Sequence, residues 1–169
     1  IMTADEYINN MKEVDKHLKV PTVSAMDCFV GINGAFYEFE PICGAPMVGA
    51  ANDVDLAYNF GKLRARHLKR SGAKWWWGPE VDIVSRNSKI SYGRQFSDDP
   101  ERVTKMAIAE IKGCQSEGVA STIKHFPGAD GMEERDPHTS LQMIHLPYEE
   151  WEKKQGKIYQ AAFDAGVYS

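Results

Sequence analysis

The residue types and spacing best suited to chemistry lie in residues 122–138, which read TIKHFPGADGMEERDPH. Lys124 and His125 end a strand-like run, so a rigid element would hold two hydrogen-bond donors in fixed positions. Asp136 and His138 follow in a polar loop. An imidazole, with an ordinary pKa near 6.5, can give and take a proton near neutral pH, and a neighbouring carboxylate can orient it. We therefore expect this segment to form one edge of an active site.

The elements that must position these residues alternate between helix and strand patterns. Helices are predicted from apolar residues at helical spacing and from capping signals, and strands from short apolar runs. The predicted helices are 4–18, 53–70, about 99–116 and about 148–165. The predicted strands are 20–26, 74–83 and 119–124, and a fourth is expected to begin near residue 166. Long polar loops are predicted over 29–51, 84–96 and 126–147.

Polar residues recur where these strands end. Strand and helix alternation indicates parallel strands joined by right-handed crossovers, and such folds build their sites at the carboxyl ends of strands. Asp27, Asp82, Lys124 and His125 all fall at such ends. We expect them to share one pocket, with Asp82 supporting the site through hydrogen bonds to loop backbone.

The fold class predicted from this pattern is α/β. A complete (β/α)8 barrel takes about 250 residues, whereas this chain has 169 residues, begins within a helix pattern and ends within a strand pattern. We therefore expect part of a (β/α)8 TIM-type barrel, with about three to four parallel strands and their crossover helices.

Composition excludes several classes of protein. The chain is 43% hydrophobic and 26% charged, with a net charge of −4 and no basic stripe, which argues against a nucleic-acid surface. No apolar run approaches the roughly 20 residues that span a membrane. The three cysteines have the spacing of neither a disulfide framework nor a metal site. Because the chain starts at Ile1, a cytoplasmic, periplasmic or secreted location stays open.

With the strand-end residues in place, the chain resembles glycoside hydrolase family 3, in its β-N-acetylglucosaminidase branch. GPEVDI at 78–83 is similar to the family's APVxDI strand, and 92–128 is similar to its G-R-S-F-G-x-D-P loop, helix and KHFPG signature. Residues 146–169 are similar to the helix and strand that follow. The resemblance implies that residues 1–169 are a partial N-terminal barrel domain of this family.

The resemblance also implies sugar-binding residues. Arg94, Lys124 and His125 would hydrogen-bond the hydroxyls of the sugar in the −1 subsite, and Asp27 would grip sugar hydroxyls from the end of the first strand. The sequence departs from the family at 27–34, where DCFVGING replaces the DQEGG type of motif. Arg94 could instead cap the helix that begins near Asp99.

The catalytic pair implied by the resemblance is His138 as general acid/base and Asp136 as its partner. The family's D-S-H motif reads D-P-H here, so Pro137 fixes its own φ and could stiffen the loop. His138 could also be a solvated loop histidine. The family's nucleophile is an Asp on a later strand, beyond Ser169, so this chain alone is not expected to catalyse the complete reaction.

The function implied is removal of terminal β-linked N-acetylglucosamine, or a related β-hexosaminide, by a retaining mechanism. No metal or other cofactor is implied; the expected partners are a carbohydrate substrate and the remainder of the barrel. Alternatives are a β-glucosidase or β-xylosidase of the same family, or a non-catalytic sugar-binding barrel fragment. An open α/β sheet with a phosphate ligand is disfavoured because no glycine-rich loop opens a helix.

Overall fold

The computed structural model of the chain describes residues 2–28, 36, 38–85, 93–129, 135–136 and 138–169. The predicted alternation of helices and strands is confirmed within these residues. In chain order the elements are α1 Ala4–Asp15, β1 Ala25–Met26, α2 Ala45–Ala51, α3 Val54–Arg70, β2 Trp75–Trp76, α4 Pro100–Ser116, β3 Ala120–Ser121, α5 Tyr148–Trp151, a π-helical turn Glu152–Gly156 and α6 Lys157–Asp164. The predicted loops fall partly on 29–35, 37, 86–92, 130–134 and 137, which lie outside the described residues.

In the described part of the chain, the strands form one parallel sheet in the order β1-β2-β3. Ala25 pairs with Trp75, and Trp75 pairs with Ala120. The end of the chain joins the open edge of β3, because the Ile123 amide donates to the Ser169 carbonyl at 2.9 Å and the Ser169 amide donates to the Ser121 carbonyl at 3.2 Å. The expected start of a fourth strand therefore lies beside β3.

The strands are shorter than predicted, most clearly in β2. It ends at Trp76, shortly before Pro79, which has no amide hydrogen to donate to a ladder. The chain nevertheless stays alongside β3: the Lys124 amide donates to the Pro79 carbonyl at 3.2 Å, and the Val81 amide donates to the Lys124 carbonyl at 2.8 Å. These two bonds keep Glu80 and Asp82 beside Lys124.

The helices begin at side-chain caps that can be recognised in the sequence. Thr3 and Glu6 form the capping box of α1, as their spacing predicts. The helix ends at Asp15 rather than at residue 18, since the next amides bond three residues back in tighter turns. Asp53 caps α3 and Asp99 caps α4 through side-chain oxygens.

Helix α2 contradicts the prediction that 29–51 is all loop. Its sequence APMVGAA contains Pro and Gly, which favour a loop when read locally. Pro46 lies in the first turn, where its missing amide hydrogen costs no helical bond. Gly49 is needed because a Cβ there would lie 1.8 Å from the Phe96 carbonyl oxygen.

Helices α3 and α4 pack closely against each other and carry much of the core. A Cβ on Gly61 would lie 2.2 Å from the Glu110 carbonyl oxygen, and one on Gly113 would lie 2.0 Å from the Tyr58 carbonyl oxygen. The two glycines thus allow the backbones to approach. Within this interface Arg64 and Glu110 form an ion pair at 3.1 Å, with side chains 2% and 1% exposed.

None of the described helices has an apolar stretch of the length needed to cross a bilayer.

Candidate active site

The carboxyl ends of the strands bring the predicted strand-end residues together. Lys124, after β3, forms an ion pair with the carboxylate of Asp27, after β1. The Lys124 side chain is 16% exposed and that of Asp27 is 44% exposed. Because β2 lies between these strands, the pair spans the whole described sheet, and it presents an ammonium and a carboxylate at one edge.

His125 is held by a buried carboxylate. Its Nδ1 atom lies 2.7 Å from Oδ2 of Asp82, which is 1% exposed, while Oδ1 of Asp82 accepts the Ala129 amide at 3.1 Å. The Tyr159 hydroxyl donates to the His125 carbonyl at 2.8 Å, and burial raises the pKa of Tyr159, keeping the hydroxyl protonated. Asp82 therefore supports the loop backbone, as predicted, and also fixes the imidazole.

Arg94 joins the same edge through Glu80, a residue that no sequence motif predicted to lie in the site. Arg94 Nη1 lies 3.1 Å from Oε1 of Glu80, whose side chain is 3% exposed. Burial raises the pKa of Glu80 to about 7, against the opposing effect of Arg94 and His125. The signal that could have revealed Glu80 is a carboxylate at the position where the APVxDI pattern has an apolar residue.

The predicted catalytic pair is formed in the loop. Nδ1 of His138 and the His138 amide lie 2.7 and 2.8 Å from Oδ1 of Asp136. Hydrogen bonds from the backbone and then the side chain of His138 lower the pKa of Asp136. The His138 side chain is 79% exposed, and within the described residues neither partner has a hydrogen bond or ion pair to the strand-end group of Asp27, Asp82, Lys124 and His125. Pro137, and with it the predicted stiffening of the loop, lies outside the described residues.

One group of potential metal ligands is found among the described residues. A carboxylate oxygen from each of Glu80 and Asp82 and a ring nitrogen of His125 lie within 4.8 Å of one another. His125 is already hydrogen-bonded to Asp82, and Glu80 forms an ion pair with Arg94, although neither Glu80 oxygen has a hydrogen-bond partner among the described residues. A cation bound there would also lie beside two positively charged side chains.

The arrangement suits a neutral ligand with several hydroxyl groups. Arginine, lysine and imidazole nitrogens donate hydrogen bonds, and carboxylates accept them. A small cleft opens beside Glu80 and Arg94, and Arg64 and Glu110 contribute to its wall. All of these groups except Arg94 and the Asp136–His138 pair lie at strand ends or on packed helices, so their positions are set by the fold.

Comparison with known proteins agrees with this geometry. The sequence profile described as "Glycosyl hydrolase family 3 N terminal domain" matches residues 2–169. This chain belongs to glycosyl hydrolase family 3. The N-terminal domain of this family is a TIM-barrel-like α/β fold, so the predicted fold class and family are confirmed.

The curated relatives are named as glycosidases. The chain is 28% identical over 167 residues to a beta-N-acetylglucosaminidase/beta-glucosidase from Cellulomonas fimi, covering 98% of the chain and 29% of the relative. It is 34% identical over 144 residues to a beta-hexosaminidase from Xylella fastidiosa strain M12, covering 85% of the chain and 39% of the relative. The chain thus spans well under half the length of these glycosyl hydrolase family 3 relatives.

Among solved structures, the beta-glucoside phosphorylase BglX bound to 2FGlc superposes with a TM-score of 0.90 at 31% identity. The match covers 98% of the chain and 30% of that protein. Glycosyl hydrolase family 3 membership rests on the sequence profile, and the fold of the chain is closely similar to that of the phosphorylase.

Proposed function

We propose that the polypeptide carrying this chain is a retaining β-glycosidase that removes terminal β-linked N-acetylglucosamine or a related hexosaminide. Residues 1–169 would form part of its N-terminal barrel domain. The observation that supports this most directly is the 2.7 Å contact between His138 and Asp136 in the loop after the KHFPG segment. The N-acetylglucosaminidase branch has an Asp–His pair at this place, and the Cellulomonas fimi and Xylella fastidiosa relatives carry the corresponding names.

Asp27, Arg94, Lys124 and His125 would bind the sugar. Three of them are held by carboxylates, His125 by Asp82, Lys124 by Asp27 and Arg94 by Glu80. Fixed donors lower the entropy lost when hydroxyls are bound, because the side chains are already ordered. The remainder of the barrel would close the other side of this site.

In the proposed reaction His138 moves the proton. With Nδ1 facing Asp136, Nε2 is left to protonate the glycosidic oxygen while a carboxylate nucleophile attacks the anomeric carbon and the C–O bond breaks. The neutral imidazole then takes a proton from water, whose oxygen attacks the anomeric carbon and displaces the carboxylate. The nucleophile belongs to a later strand, outside this chain.

The test compares nitrophenyl β-N-acetylglucosaminide with nitrophenyl β-glucoside, hydrolysed by the complete polypeptide. A preference for the N-acetylglucosaminide, with the β-anomer of the free sugar as first product by NMR, is the expected result. A preference for the glucoside would favour the β-glucosidase alternative. Binding without hydrolysis, with no strand-end Asp downstream of Ser169, would favour a sugar-binding protein.

A second candidate is phosphorolysis, favoured by the 31% identity to the beta-glucoside phosphorylase. A neutral imidazole would not repel an incoming phosphate dianion, whereas a carboxylate acid/base would. In this reaction phosphate oxygen replaces water oxygen at the anomeric carbon, and the product is a sugar 1-phosphate. Incubation with inorganic phosphate, followed by ³¹P NMR of the products, separates the two reactions.

A further inference from the structure

We propose that Glu80 is a positioning residue for Arg94, and that its buried carboxylate fixes the guanidinium in the orientation that binds a sugar hydroxyl. This inference rests on the proposed function, because it assumes that Arg94 binds the sugar. It adds a residue that the family's APVxDI pattern does not contain.

Glu80 has a rigid place in the sheet. It pairs with Lys124 in a parallel bridge, and the adjacent Val81 amide donates to the Lys124 carbonyl at 2.8 Å. Its side chain is 3% exposed, whereas that of Arg94 is 23% exposed. The buried end of the pair is therefore the anchored one, and the guanidinium is the part that reaches the open side of the cleft.

Electrostatics connect Glu80 to the whole strand-end group. Arg94, His125 and Lys124 favour the ionised carboxylate, while burial and Asp82 oppose it, and the net effect raises the pKa of Glu80 to about 7. Arg64 from α3 and Glu110 from α4 line the same cleft as an opposed pair. A carboxylate at this depth is costly unless a cation lies beside it, so the 3.1 Å approach of Arg94 is the contact that accounts for its ionised form.

Arginine has a long side chain that loses much rotamer freedom when it is held in one place. Each productive encounter with sugar costs some of this entropy unless the guanidinium is already ordered. The Glu80 carboxylate removes this cost in advance. Its loss should therefore weaken sugar binding only as long as Arg94 is present.

The test is a double-mutant cycle on the complete polypeptide, with the nitrophenyl β-N-acetylglucosaminide as substrate. Arg94→Ala is expected to raise KM about 10- to 100-fold, and Glu80→Gln about 10-fold with a much smaller change in kcat. The double variant should match Arg94→Ala alone, because Glu80 would act through Arg94. Glu80→Asp, which keeps the charge, should recover part of the affinity.

The matched control is Glu117→Gln, which removes the carboxylate from the Glu117–Arg66 surface pair, also at 3.1 Å. It should leave KM unchanged. Two results would overturn the positioning role and leave the proposed function standing. One is that the increases in KM from the two single variants multiply in the double variant. The other is that Glu80→Gln has a normal KM although Arg94→Ala is impaired. An Arg94→Ala enzyme with normal KM would instead remove Arg94 from the sugar site. If Glu80→Gln does not fold, Glu80→Val, which carries the residue of the family motif, takes its place in the cycle.

Discussion

The imidazole of His125 and the carboxylate of Asp82 lie 2.7 Å apart and join the ends of two neighbouring strands. Asp82 is buried, so it holds the His125 ring on the protein side while half of the His125 side chain stays exposed. The second carboxylate oxygen holds the Ala129 amide, where the loop toward His138 begins. One buried side chain therefore orients a proposed sugar-binding residue and also fixes the start of the proposed catalytic loop.

Replacing Asp82 with alanine should lower kcat/KM about 100-fold, because the imidazole and the Ala129 amide both lose their acceptor. Steady-state kinetics of the complete polypeptide measure this effect. The control is Asp164→Asn on α6, whose exposed side chain accepts a hydrogen bond from Gln160 on the same helix. Asp164→Asn should retain full activity, and an equally severe loss there would mean that the effect of Asp82→Ala is not specific to the site.

His138→Ala should lower kcat about 100- to 10,000-fold, the usual contribution of a general acid/base, while KM changes little. The decrease in kcat should be smaller for a nitrophenyl glycoside than for a disaccharide, because nitrophenolate leaves without being protonated. His17→Ala, which removes a surface histidine 78% exposed, is the control. A large rise in KM with unchanged kcat would contradict the acid/base role.

Lys124→Ala should raise KM and lower kcat together, because the ammonium would contact the sugar in both the ground state and the transition state. Isothermal titration with N-acetylglucosamine provides an independent affinity. Lys16 forms an ion pair with Glu13 in the same way that Lys124 does with Asp27, but at the surface, where its side chain is 66% exposed. Lys16→Ala should therefore behave as wild type; equal kinetics for the two variants would place Lys124 outside the site.

The stability of the protein should depend on the ionisation of Glu80. Its folded pKa of about 7 exceeds the ordinary value of 4.5, so between these values the folded state keeps a proton that the unfolded state has lost. Stability should therefore fall as pH rises through this window, by on the order of 1–3 kcal/mol. In thermal unfolding, the stability of Glu80→Gln relative to wild type should increase from pH 4.5 to 8. The control is Glu117→Gln, at a carboxyl whose pKa is lowered by the hydrogen bond from Arg66. Its stability relative to wild type should not increase over this range.

The buried pair of Arg64 and Glu110 should be costly to break and cheaper to replace. Arg64→Met leaves the Glu110 carboxylate unpaired in the core, which costs about 3–5 kcal/mol, whereas Arg64→Met combined with Glu110→Leu should cost much less. Arg66→Ala, at an arginine 61% exposed, should change stability by about 0–1 kcal/mol. Chemical denaturation measures all three variants; equal losses for the single and double core variants would contradict this account.

Local signals in the sequence predicted the elements well. The caps at Thr3, Asp53 and Asp99 act within one turn of helix, so their geometry is decided by neighbouring residues. The same holds for the strand ends, where alternation alone implies that Asp27 and Lys124 share one edge of the sheet. The family signature added the proposed roles of these residues.

Features that depend on distant contacts were missed. Helix α2 is stabilised where Gly49 meets the Phe96 backbone, a contact that local composition cannot reveal. Glu80 occupies an apolar position in the motif, and only its approach to Arg94 explains a charge there. The distance between His138 and the strand-end group depends on the loop path, which no spacing rule fixes.

The π-helical turn Glu152–Gly156 determines how a deletion in this helical segment would affect its contacts with the loop after β3. A wide turn adds one residue to the helix, and it lets Gln155 reach the Ala129 carbonyl while Tyr159 reaches that of His125. Deleting a single residue there would restore regular winding and remove the wide turn from which Gln155 reaches the Ala129 carbonyl. The two attachments could then no longer form at once, so helix length in this segment is coupled to the shape of the loop before it.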